Sequence, residues 1–205
     1  MSTVVAAFDV DGTLTRRDTF GPFLFAAFGR WRVARALARH VVLARRRDEY
    51  KAAVVRTLFA GRPIAPLHEV AEGFAAGVVP NRMRPGALEL LAEHHRRGHR
   101  VVLVSASLTL YLDPIARRLG DIDGNVSTRL AVDGDAFTGE LDGGNCRGPA
   151  KAARVASWLA AQGLARDAVT LVAYGNSVGD RELLALADRP VRVRSSADLR
   201  ISEPV

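Results

Sequence analysis

Val4-Val5-Ala6-Ala7-Phe8-Asp9-Val10-Asp11-Gly12-Thr13-Leu14-Thr15 carries the clearest local signal in the chain. Five apolar residues, Val4 to Phe8, run directly into an Asp-x-Asp-Gly turn. A short apolar run closed by a turn suits a strand buried on both faces, as in a parallel sheet. Open parallel sheets bind ligands beyond the carboxyl ends of their strands, and that is where Asp9 and Asp11 fall. Two carboxylates two residues apart can face one site. One can then act as a nucleophile while the other moves a leaving-group proton. Gly12 lets the chain turn away without a side chain in the pocket, and the Thr13 hydroxyl can hold the turn.

Outward from this stretch the same pattern recurs. Val101–Val104 and Val169–Ala173 are further apolar runs, and Val191–Val193 is a weaker one. A helical pattern over 87–97 stops at Gly98, a residue that commonly ends helices. Strands alternating with helices predict a parallel sheet covered on both faces. Two stretches interrupt the alternation. Residues 16–80 read as mostly helical, with Arg32, Arg35, Arg39 and Arg46 on one side of a helix. Trp31, Ala34, Leu37, Ala38 and Val41 fall on the other side. Residues 128–141 alternate about Asp133-Gly134-Asp135, which predicts a β-hairpin.

The length, 205 residues, fits one domain or a domain with an insertion, and 48% apolar residues can supply a core. The lone cysteine, Cys146, rules out an intrachain disulfide and fits a reducing compartment. The opening stretch reads as a strand rather than a secretion signal, and no run of 18 apolar residues occurs. The net charge is +7, and all of it resides in residues 16–80, which hold twelve Lys or Arg against five Asp or Glu. Such a segment attracts anionic partners, or is simply a solvated arginine face.

Three further pieces follow the strand pattern. Ser105-Ala106-Ser107 follows the second apolar run, where a hydroxyl and free N–H groups can hold phosphate oxygens. Lys151 lies in the first turn of a helix opened by Pro149, where the helix dipole disfavours a cation unless an anion is near. Tyr174-Gly175-Asn176-Ser177-Val178-Gly179-Asp180 follows the third run.

Together these strings, DVDGTLT, SAS, the lysine in GPAK and GNSVGD, resemble the ordered motifs of the haloacid dehalogenase superfamily. The resemblance is closest to its phosphoserine-phosphatase-like branch. It implies an α/β fold: a Rossmann-like parallel-sheet core, a helical (C1-type) cap inserted after the first motif, and a β-hairpin insertion. The core would be residues 1–15 with 81–205, and the cap residues 16–80. By the same resemblance Asp9 is the nucleophile and Asp11 the general acid and base. Ser105 and Ala106 bind phosphate, and Lys151 neutralises the phosphoryl group. Mg2+ is held by Asp9, the backbone carbonyl of Asp11, Asn176 and Asp180. The sequence departs from the family pattern at Asn176, where an acidic residue is usual, so the metal would gain an amide oxygen but no charge there.

The implied activity is hydrolysis of a phosphate monoester, of phosphoserine or a similar small metabolite. Asp18 falls where the branch contacts a substrate amine, and Arg56 near where it contacts a carboxylate. Asp18 can equally cap a helix, and Arg56 can be an exposed arginine. Two alternatives stand beside this. One is a lipid-phosphate phosphatase docked on an anionic membrane surface by the basic cap face and Phe20, Phe23, Phe25 and Phe28, although aromatics at that spacing are more often cap core. The other is a non-catalytic binder of a phosphorylated ligand. No nucleic-acid partner is expected, because no recognition signature accompanies the charge. The expected setting is cytoplasmic, peripheral to the membrane in the lipid alternative. The oligomeric state is open.

Overall fold

The computed structural model describes residues 3–200 and places β1 (Thr3–Phe8) in the interior of a sheet. After β1 come α1 (Phe20–Phe28), α2 (Arg30–Arg39), α3 (Arg47–Phe59), β2 (Arg62–Pro63), α4 (Ile64–Arg82) and α5 (Ala87–Arg96). Then follow β3 (Arg100–Leu108), α6 (Thr109–Leu119), β4 (Gly124–Asp133), β5 (Ala136–Asp142) and α7 (Pro149–Ala161). The chain closes with β6 (Val169–Gly175), α8 (Arg181–Leu186) and β7 (Arg189–Arg192). The strand order is β2-β5-β4-β3-β1-β6-β7. The run β4-β3-β1-β6-β7 is parallel, and β5 and β2 add antiparallel pairs at one edge. This is the expected α/β architecture with helices flanking a mostly parallel sheet.

Because side chains alternate across a strand, β1 serves two cores. Val5 and Ala7 join Val102, Val104, Leu171 and Ala173 on one face, covered by Val155 and Leu159 of α7 and Leu183 of α8. Ala6 and Phe8 join Leu103 and Tyr174 on the other face, with Leu90 and Leu91 of α5. Phe8 stacks on Tyr174 at 4.4 Å between ring centroids. Burying a side chain such as Phe8 contributes about 1.5–3 kcal/mol. The second core continues without a break into Phe23, Leu24, Val33, Val54 and Phe59 of the inserted helices. Packing, not only the connecting chain, therefore holds the insertion against the sheet.

The structure differs from the sequence expectations at several points. β4 begins at Gly124, pairs parallel with β3 and only then turns into the hairpin. Its first residues, Gly-Asn-Val-Ser, carry no apolar run, so periodicity does not announce them. α4 passes through Pro80, the expected end of the insertion, and stops at Arg82. The chain leaves and re-enters the core at an antiparallel bridge between Thr15 and Met83. Arg46 lies outside α2, so of the four arginines of the expected face only Arg32, Arg35 and Arg39 belong to that helix. The buried line of α2 is Val33 and Ala36, whereas Trp31 and Val41 face solvent. Of the four phenylalanines of α1, Phe23 is buried and Phe25 exposed.

Candidate active site

β1 sits where the chain order reverses: β3 follows on one side and β6 on the other. Such a switch point opens a crevice at the carboxyl ends of the strands. Asp9 is the first residue past β1, and its N–H donates to the Tyr174 carbonyl at 2.9 Å. The chain then turns through a single wide helical turn, Val10–Leu14, with Gly12 at φ 82°. A Cβ on Gly12 would lie 2.2 Å from Nδ2 of Asn176, so the glycine serves conformation and close approach together. Thr15, not Thr13, ties the turn, because its hydroxyl donates to the Val10 carbonyl at 3.1 Å and the Arg17 carbonyl at 2.8 Å. Thr13 Oγ1 instead donates to Asp9 Oδ2 at 2.9 Å and orients the carboxylate.

Lys151 is the third residue of α7, and only 2% of it is exposed. Its Nζ lies 2.7 Å from Asp9 Oδ1 and 2.5 Å from Asp180 Oδ1. The two carboxylates explain a cation at a helix N-terminus. Burial works against the lysine's charge, yet both partners outweigh it and hold its pKa above the usual value. Burial pushes Asp9 up to about 6, with Lys151 opposing and Asp180 reinforcing the rise. Asp180 moves the other way. Its burial is overcome by Lys151 and by hydrogen bonds from Ser177, so its pKa falls.

Asp11 is also raised, by burial and then by the nearby Asp18. Its Oδ1 accepts from the Thr19 N–H at 2.8 Å and the Thr19 hydroxyl at 2.7 Å, and its Oδ2 accepts from the Ser107 hydroxyl. The Ser105-Ala106-Ser107 segment lies inside β3 rather than after it. Val104 pairs with Val126 but Leu108 with Thr128, so β3 bulges between them. A bulge re-aims side chains at a sheet edge. There, Ser105 Oγ accepts from the Ser107 N–H at 3.0 Å.

The Asn176 segment is held by Asp180, whose Oδ2 accepts from the Asn176 N–H at 3.2 Å, the Ser177 N–H at 2.8 Å and the Ser177 hydroxyl at 2.7 Å. Both oxygens of Asp180 are therefore engaged by protein donors. Asn176 Oδ1, by contrast, is buried and has no hydrogen-bond partner. An orphaned amide oxygen beside a carboxylate suits a hard divalent cation. Among the described residues no cluster of three or more His, Cys, Asp or Glu could hold a metal. A cation here would therefore need Asn176 and backbone oxygen as well as Asp9.

Asp9, Asp11, Ser105, Ala106, Lys151, Asn176 and Asp180 all line one cavity of about 490 Å³. Asp18 lines it too, while its Oδ2 accepts from the Gly21 N–H at 2.9 Å as a helix cap does. Arg56 does not join them. It is exposed on α3 and pairs with Glu140 of β5 at 2.6 Å. Sequence reasoning missed the arginines that do reach the cavity: Arg16, Arg17, Arg47 and Arg147. The first two directly follow the acidic motif and Arg147 lies four residues before Lys151, so nearness to motifs was an available signal. Arg47 had none. Also missed was Arg84, which donates to the Gly12 carbonyl at 2.6 Å and the Thr13 carbonyl at 3.1 Å and so fastens the acidic turn to the chain just after α4.

The profile of the haloacid dehalogenase-like hydrolases matches residues 6–185. The chain is 37% identical over 192 residues to Protein CicA of Caulobacter vibrioides, covering 90% of this chain and 83% of that one. A crystal structure of a protein of unknown function from Bordetella pertussis superposes with a TM-score of 0.83 at 25% identity, covering 95% of this chain and 92% of that one. A substrate-bound phosphoserine phosphatase superposes with a TM-score of 0.63 at 19% identity, covering 91% and 84%, a likeness of fold.

Proposed function

The chain belongs to the haloacid dehalogenase-like hydrolases, and we propose that it is a phosphatase that passes the phosphoryl group of a monoester onto Asp9. The observation that carries this reading is the Asp9 carboxylate at the switch point, held by Thr13 and Lys151 with Asp11 in the same cavity.

An Asp9 carboxylate oxygen attacks phosphorus in line as the bond to the leaving oxygen breaks. With a pKa of about 6, Asp9 is mostly anionic at pH 7. Phosphoryl transfer depends chiefly on placement and on charge offset. Lys151 offsets charge on the nucleophile and on the transferring group, and Ser105 and the Ala106 backbone cradle the other oxygens. Asp11, whose raised pKa favours retaining a proton, donates to the leaving oxygen. It then takes a proton from the water that attacks the aspartyl-phosphate, releasing phosphate and restoring Asp9. Asp9, the Asp11 carbonyl and Asn176 would hold Mg2+, which would supply Lewis-acid charge neutralisation there. Asp180, expected as a ligand, supports this arrangement by holding Lys151 and the Asn176 segment.

Residues 16–82 act as the cap that excludes water and selects the leaving group. The substrate is a small phosphomonoester in a cytoplasmic setting. The phosphoserine assignment loses one support, since Arg56 pairs with Glu140. A second reading, a phosphorylated lipid at an anionic bilayer, is favoured by one observation. Trp31 and Val42 are 90% and 86% exposed beside Arg32, Arg35 and Arg39, which have no ion-pair partner among the described residues. No described helix is long and apolar enough to cross a membrane.

The test is hydrolysis of p-nitrophenyl phosphate with Mg2+, and trapping of acid-stable label on the protein from a phosphorus-32 ester. Asp9→Asn should abolish both. Turnover that survives in Asp9→Asn rules out the aspartyl route. No turnover with any divalent metal leaves the non-catalytic binder as the better account.

A further inference from the structure

A second cavity of about 400 Å³ lies beside the catalytic one, and Asp18 and Arg47 line both. Its apolar walls come from three of the inserted helices: Phe20 and Leu24 of α1, Val33 and Leu37 of α2, and Tyr50 and Val54 of α3. The volume is that of a small-molecule site. Neither Asp9 nor Lys151 reaches it. The proton and phosphoryl steps proposed above make no use of it.

One cation, Lys51 of α3, marks where this space meets the core. Its Nζ donates to the Ala106 carbonyl and to Asn145 Oδ1 at 2.9 Å, and lies 5.0 Å from the centre of the Phe20 ring. An ammonium has three donors. Two are spent on protein oxygens and the third side faces an aromatic ring, so Lys51 is a fastener rather than a receptor for a substrate carboxylate. Asn145 continues the fastening by donating to Asp48 Oδ1 at 2.6 Å. α3 is thus latched onto the Ser105-Ala106-Ser107 segment, and its Tyr50, Lys51 and Val54 also line the apolar cavity.

We infer that the substrate's leaving group has an uncharged, apolar body that passes between Asp18 and Arg47 and fills this cavity while its phosphate lies against Asp9. The inference rests on the phosphatase reading. Asp18 and Arg47 stand where the two cavities meet, so an ammonium and a carboxylate carried beyond them would have to desolvate against Leu24, Val33 and Val54. The arginine expected to meet such a carboxylate, Arg56, is turned to Glu140. An alkyl or aryl body instead loses water against apolar walls, and each methylene buried there should raise kcat/KM about three- to fourfold.

The experiment is a series of n-alkyl phosphates from ethyl to octyl, with phosphoserine and acetyl phosphate alongside. The acetyl group is too short to occupy the cavity. In the native chain kcat/KM should climb about three- to fourfold per methylene to about hexyl and then level, with phosphoserine far below hexyl phosphate. Ala44→Trp narrows the cavity from an exposed lining position. It should cut kcat/KM for hexyl phosphate about tenfold or more and leave acetyl phosphate unchanged. Leu37→Asn, which puts an amide in the wall, should flatten the same series and serves if the tryptophan variant does not fold. A flat native series, phosphoserine above hexyl phosphate, or equal losses on hexyl and acetyl phosphate overturns the inference. If acetyl phosphate is turned over while the series is flat, only this inference fails. If nothing is turned over, acetyl phosphate included, the phosphatase reading fails with it.

Discussion

The sheet edge and the inserted helices treat charge in opposite ways. At the edge Lys151, Asp9 and Asp180 are almost wholly buried, and each charge is matched within hydrogen-bonding distance. On the insertion, Arg46 and Glu49 pair while 72% and 56% exposed, and Arg32, Arg35 and Arg39 have no ion-pair partner among the described residues. A buried charge cannot change partners without a large desolvation cost, whereas an exposed one is held by solvent as well as by its neighbour. The edge is therefore built for one fixed chemistry. On the proposed phosphatase reading, the insertion can vary its surface and its lining, and with them the leaving group, without disturbing that chemistry.

The strongest challenge to this contrast is Lys151→Met. Removing one member of a buried pair leaves the others uncompensated, so unfolding in denaturant should show a loss of about 3–5 kcal/mol, and hydrolysis should vanish. A loss under 1 kcal/mol would mean that the edge charges are solvated like those of the insertion.

A middle-sized effect tests the core beneath the edge. His94 of α5 is buried, with Nε2 3.0 Å from the Tyr174 hydroxyl and Nδ1 2.9 Å from Nδ1 of His99. Burial, aided by His99, lowers its pKa from 6.5 to about 4. The unfolded chain therefore binds more protons than the folded one between those values. The stabilising effect is fully present above pH 6.5 and is lost as the pH falls toward 4, by up to about 3 kcal/mol. His94→Asn should remove that part of the slope in a plot of stability against pH. Parallel curves for the two proteins would show that His94 titrates freely.

The smallest expected effect is Arg56→Ala. The pair with Glu140 is 65% and 51% exposed, so stability should change by no more than about 0.5 kcal/mol. KM for phosphoserine should not change either, because Arg56 does not line the catalytic cavity. A selective rise in that KM would return Arg56 to the site and blur the division between edge and insertion.

The readable parts of this chain are those coded over short distances. Val4–Phe8 announced β1 because five consecutive apolar residues need a strand buried on both sides. Asp9, Asp11 and Lys151 stood out because each occupies the end of a recognisable element. Both belong to local patterns, in which the period of the side chains and the residue at the boundary carry the information. The polar start of β4, the two-residue β2 and the bulge holding Ser105 had no such pattern, since each exists only through pairing with a strand distant in the chain.

Residue order alone thus established the parallel sheet, the acidic turn at its edge and the sequence of motifs around it. Folding in three dimensions settled which arginine reaches the cavity that holds Asp9, Arg47 rather than Arg56, and formed an apolar cavity among α1, α2 and α3. The reason is physical. A strand or a helix start is specified by a few consecutive residues. Convergence of side chains from separate helices depends on how those helices pack, and local periodicity does not encode that packing.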